Sequence, residues 1–208
     1  MGFVSSSCSF TRFRILDQIP DGLWLQIPEK LKQFAIMDID ETTELRAHGW
    51  TCFEDMLDTT WGTAPPQKGS YIVFSLRLDT RRIPAGVVKK HLALAIREEK
   101  QRAQAQGKTF LSRERKKELK EHVMLRLRAR FLPVPGEFHV VWATDRNEVW
   151  FASTQQKMLD LFMEEFLRTF ELHLEQMTPY TLALSLLDEE GLSRLDYLES
   201  TRFAPQTH

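Results

Sequence analysis

Apolar positions along the chain change their spacing several times, and each change marks an element. Residues 10–16, FTRFRIL, alternate apolar and polar side chains with the period of two that a half-buried strand requires. Ile19-Pro20-Asp21-Gly22 reads as a turn. LWLQI at 23–27 fits a strand or the start of a helix, and Pro28 before EKLKQF reads as the first-turn proline of a helix. AHGWTCF (47–53) and SYIVFSLRLD (70–79) are further strands, separated by a loop containing Thr63-Ala64-Pro65-Pro66. The first third is therefore a β-α-β-β unit.

From Ile83-Pro84 the spacing becomes helical. Val88, Leu92 and Ile96 form one apolar row, while Lys90, Arg97 and Lys100 share another face. Gly107 is the expected stop. A second helix starts near Ser112 without a capping box, because Arg115 stands where an acid is needed. Leu119, Val123, Leu127 and Phe131 mark its apolar row, and Pro133 with Pro135-Gly136 ends it. The two helices are expected to fold back as an antiparallel arm over 81–133. EFHVVWATDRNEVWFAS (137–153) follows as a hairpin about Asp145-Arg146-Asn147. TQQKMLDLFMEEFLRTF (154–170) is an amphipathic helix, capped by Ser153 or Thr154 and burying Leu159, Phe162, Met163 and Phe166. A last apolar stretch, TLALSLL, leads into an acidic, loose tail at 186–208. The fold class that emerges is α+β: an antiparallel sheet core from 1–80 and 134–185, with the helical arm projecting from it.

Composition adds little by itself. The 208 residues are 42% hydrophobic and 27% charged, ordinary for a globular chain. Cys8 and Cys52 are too few for a disulfide framework, which favours a reducing, cytoplasmic setting. No apolar run reaches membrane-spanning length, and the myristoylation-like start at Gly2 and Ser6 has no adjoining basic segment. The distribution of charge is more informative. Residues 77–130 hold 17 Lys and Arg against 6 Asp and Glu, or +11, and the remainder carries −12. A basic segment on an acidic body is the footprint of a polyanion-binding surface, or of a solvated helical pair whose lysines serve solubility. Docking of the arm on an acidic protein partner is the competing functional reading.

The candidate chemistry is sparse. FAIMDIDETT at 34–43 presents Asp38-x-Asp40-x-Thr42, the spacing used by haloacid-dehalogenase phosphatases. That chemistry needs the first aspartate at the end of a parallel strand, a lysine for the phosphate and a later acidic pair for magnesium. Here the preceding residues continue the helical pattern of EKLKQF, and no run of β-α units follows. A metal-dependent phosphohydrolase or nuclease is the weakest of the three readings. The six histidines are scattered without ligand spacing, and nucleotide and protease motifs are missing. No metal, cofactor or catalytic residue is expected. The cations Lys89, Lys90, Arg97 and Lys100, with Arg113, Lys116, Lys117 and Lys120, are the candidate DNA-binding set. Only Phe110 and Phe131 accompany them, which favours duplex backbone over single strands.

Taken in order, AHGW at 47–50, RRIPAGVVKKHLALAIREEKQRA, RERKKELKEHVMLRLRARF and EFHVVWATDRNEVWFAS resemble the bacterial recombination-associated RdgC family, over about residues 8–184. The resemblance implies a non-catalytic, nucleoid-associated DNA binder that encircles duplex DNA as a ring-like dimer and restrains the recombinase RecA. It implies that the loop at 38–44 is not catalytic and that Lys90, Arg97 and Lys100 belong to the basic lining. Phe131 matches an aromatic position of dimer contact, and equally reads as the last residue of its helix's apolar row. Family members extend further, into a region with more dimer contacts. This chain is thus expected to be a shortened member that lacks that region and forms an open dimer or uses another partner.

Overall fold

The computed structural model describes residues 2–105, 110–195 and 197–199. The elements are β1 (Thr11–Ile15), α1 (Leu23–Gln33), β2 (Arg46–Thr51), β3 (Gln67–Lys68), β4 (Tyr71–Thr80), α2 (Ala85–Ala105), α3 (Arg113–Arg128), β5 (Val134–Ala143), β6 (Glu148–Phe151), α4 (Gln156–Phe170), β7 (Leu174–Gln176), α5 (Pro179–Leu186) and α6 (Glu189–Leu195). The class is α+β. One sheet runs β2-β4-β5-β6-β1-β7, with β3 also on β4, and every strand pair is antiparallel. Strands from before and after the helical pair therefore share one sheet.

Alternation along the strands sorts side chains between the two faces of the sheet. Ile72, Phe74 and Leu76 on β4, Val140 and Trp142 on β5, and Val149 and Phe151 on β6 join one core cluster. Leu23, Ile27 and Leu31 of α1 and Phe162, Phe166 and Phe170 of α4 cover that face. The rings of Phe151 and Phe162 stack with centroids 4.2 Å apart, and Trp50 meets Phe74 edge-on at 5.0 Å. Burying so many aromatics at once supplies most of the driving force for this layer. The opposite face carries polar groups, including His139, Arg77 and Asp79. His139 stacks on Phe53 at 4.2 Å and accepts a 3.2 Å hydrogen bond at Nδ1 from the Phe3 amide.

Four local readings change. Helix α1 starts at Leu23, so Pro28 lies inside it rather than in its first turn. The buried row Leu23, Ile27 and Leu31 outweighs the single backbone bond that a proline forfeits there. The residues before Asp38 are not helical: α1 ends at Gln33, and Ala35 makes a parallel bridge with Trp50. Gly49 permits this, because a Cβ there would stand 2.5 Å from the Ile36 amide nitrogen. Helix α4 is capped at Gln155, with no side-chain cap bond, while Ser153 Oγ accepts from the Gln155 amide. TLALSLL forms α5, opened by a reciprocal Thr178–Thr181 capping box. The start of the expected loose tail is helical over α6. Gly107, the expected stop of α2, lies outside the described residues, as do 196 and 200–208.

Candidate nucleic-acid interface

The arm is the connection of a long hairpin. β4 and β5 pair from Tyr71↔Ala143 to Thr80↔Val134, and α2 and α3 occupy the chain between those ends. Both ends of the arm are therefore pinned at one place on the sheet. Arg81, 4% exposed, locks the joint. Its guanidinium donates to the carbonyls of Arg128 at the end of α3 and of Ile39 in the neighbouring loop, and its amide donates to Leu45 O at 2.9 Å. Arg77 is also held in the body, paired with Asp79 through both carboxylate oxygens at 2.8 and 2.6 Å. That bond and the carboxylate charge raise the Arg77 pKa. Neither arginine is available to a ligand, so part of the basic excess counted from the sequence serves the fold. Arg77 and Asp79 lie on one face of β4 and Arg81 follows one residue past its end, and the Arg77-x-Asp79-x-Arg81 alternation is the signal that could have found them.

Beyond the joint, α2 and α3 pack on each other. α2 buries no residue, and α3 buries only Val123 and Leu127. Ser112 caps α3 by accepting from the Arg115 amide at 3.1 Å. Arg115 crosses the seam to Glu99 at 2.7 Å and also reaches Glu118 at 2.8 Å. Its hydrogen bond to Glu99 raises the Arg115 pKa and lowers that of Glu99. With Glu99 and Arg115 facing each other, an antiparallel register places Val88, Leu92 and Ile96 level with Leu127, Val123 and Leu119.

All eight candidate cations are exposed: Lys89, Lys90, Arg97 and Lys100 on α2, and Arg113, Lys116, Lys117 and Lys120 on α3. Among the described residues only Lys117 has an acidic neighbour, Glu121 at 3.9 Å. At about 100° per residue, Lys89 and Lys100 stand roughly a quarter turn from the row of α2 that meets α3. Arg113 and Lys120 stand at a similar angle, in the same rotational sense, from the row of α3. Because the helices are antiparallel, equal offsets in the same sense fall on the same side of the pair. Lys90 and Arg97 carry the stripe around the outer edge of α2, and Lys117 does so on α3, while Lys116 lies nearer the seam. Glu98 and Glu118 fall on the other side. From Lys89 to Lys100 the stripe extends about 16 Å at ~1.5 Å per residue, close to five base-pair steps of a duplex.

Phe131 is half-buried just beyond α3, its amide bonded to Leu127 O at 3.1 Å. It is neither a fully enclosed end of the Leu119/Val123/Leu127 row nor a free ring. The exposed Asp38 and Asp40 form a self-bonded loop: Asp38 Oδ1 accepts from the Asp40 amide at 2.7 Å, and Thr42 Oγ1 donates to Ile39 O at 3.0 Å. The D-x-D-x-T spacing is here a turn pattern, beside an antiparallel sheet. No group of three or more His, Cys, Asp or Glu residues suited to a metal occurs among the described residues. No helix among them is long and apolar enough to cross a membrane. Phe110, three residues before α3, is exposed. No protein-family model and no curated relative matches this chain.

Proposed function

We propose that this chain is a non-catalytic, sequence-independent binder of duplex DNA that holds the phosphate backbone with the basic side of its helical arm. The observation that carries the reading is the set of exposed cations on one side of a hairpin, seven of the eight without an ion-pair partner among the described residues. Lysine and arginine so arranged bind phosphates and release condensed counterions, contributing affinity without base readout. Among the described residues the two helices of the arm pack on each other, so neither stands alone as a recognition helix would to enter a groove. The resemblance to RdgC extends the proposal to a homodimer, with Phe131 at the contact, to nucleoid association in the cytoplasm and to restraint of a RecA-type recombinase.

The decisive experiment is a fluorescence-anisotropy titration of short unrelated duplexes over a range of salt concentrations. The expected result is similar affinity for all sequences and a slope of log K against log salt of about −6, for seven phosphate contacts at ~0.9 each. Absence of binding at low salt, or affinity indifferent to salt, overturns the reading.

A further inference from the structure

Resting on that duplex-binding reading, we infer that Phe110 is a stacking residue at the tip of the arm, and that it directs the protein to duplexes carrying an unpaired or unstacked base. Phe110 is 89% exposed. It is the only phenylalanine among the described residues that is more than half exposed; Phe10, the next, is 44% exposed and packs against Phe3 and Trp150. The body cannot use this ring. The 21 residues of α2 place the apex about 30 Å from the joint at ~1.5 Å per residue. The seam between the helices does not use it either, because the apolar rows that meet there end at Ile96 and Leu119.

The ring borders a hollow lined by Arg102, Ser112 and Arg115. Arg115 is held there by both Glu99 and Glu118, which leaves Arg102 as the cation of the hollow without an ion-pair partner among the described residues. Arg113 lies three residues along the chain and begins the basic stripe of α3. The unpaired Arg102 and the basic stripes of the arm select a nucleic acid as the occupant, and the exposed ring selects a base rather than more backbone. A base in a regular duplex is stacked on both sides and offers no face. A bulged, gapped or kinked step offers one, and wedging an apolar side chain at such a step costs least where stacking is already broken. The basic stripes then supply non-specific affinity for the flanking duplex, while the tip supplies preference for the distortion.

The test compares a short uniform duplex with the same duplex carrying one bulged thymine, using the full chain, Phe110→Ala and Phe110→Trp. The expected result is a preference of the unsubstituted protein for the bulged duplex of about fivefold to one hundredfold, the span of a single aromatic–base stack. Phe110→Ala should abolish that preference and leave affinity for the uniform duplex unchanged, while Phe110→Trp should keep it. With 5-iodouracil as the bulged base, photocrosslinking should map to Phe110 and vanish in Phe110→Ala. Equal affinity for the two duplexes, or a preference that survives Phe110→Ala, overturns this inference while leaving duplex binding in place. Failure to bind either duplex overturns both.

Discussion

The sheet body and the arm handle their side chains in opposite ways. Helix α4 buries seven of its residues, including the charged Glu165, which His48 and Arg168 satisfy at 2.8 and 2.5 Å. Helix α2, longer by six residues, buries none. The body's buried arginines are bonded to carboxylates or carbonyls, whereas the arm's candidate cations are, with the exception of Lys117, unpaired among the described residues. A packed body with satisfied charges is what stability selects. An exposed hairpin with segregated, unpaired cations contributes little to stability, and like-charge repulsion along it is a cost that a polyanion relieves. The comparison places the buried, satisfied side chains in one region and the exposed cations of the proposed duplex-binding surface in the other.

The contrast breaks most severely if a core ring is removed. Phe162→Ala is expected to cost about 3–5 kcal/mol, read as a lower urea midpoint, because the ring contacts Phe13, Trp50, Phe151 and Phe166 at once. Next comes the joint. Arg81→Ala leaves the Arg128 and Ile39 carbonyls without their donor and should cost about 2–4 kcal/mol, with faster hydrogen exchange at the end of α3. In the arm the readout reverses. Lys90→Gln, Arg97→Gln and Lys100→Gln together should leave the melting temperature unchanged. They should lower duplex affinity on the order of a hundredfold near ~0.1 M salt and reduce the salt slope by about 3. Loss of stability in that triple variant would contradict the assignment of the arm to binding.

A smaller effect is expected from pH. Burial holds the His139 pKa below its ordinary value, opposed by the charges of Glu137 and Glu54. The folded state therefore binds fewer protons at this site than the unfolded chain once pH falls below about 6.5. This contribution to stability is intact above that point and is lost as pH falls toward the depressed folded value. Thermal melts between neutral and mildly acid pH should show the decline, and His139→Asn, which keeps an acceptor for the Phe3 amide, should flatten it. The smallest effect is at the exposed Glu99–Arg115 bridge. Glu99→Gln should not shift the melting temperature measurably, since water and salt screen the pair.

What the sequence determined by itself follows from periodicity. Alternation in FTRFRIL located β1, and the apolar runs of SYIVFSLRLD and of the 137–153 hairpin about its polar turn located β4, β5 and β6, because these patterns are local. The row Val88, Leu92 and Ile96 and its counterpart in α3 located the arm for the same reason, and counting charges placed the cations on it. Tertiary structure decided the rest. Pro28 inside α1, and the bridge from Ala35 to Trp50, depend on packing against a sheet whose strand order no local pattern encodes. Arg81 and Arg82 are indistinguishable as letters, yet one is buried in a joint and the other is exposed. That division is set by where neighbouring carbonyls lie, and burying a guanidinium is tolerable only where distant segments bring acceptors to it.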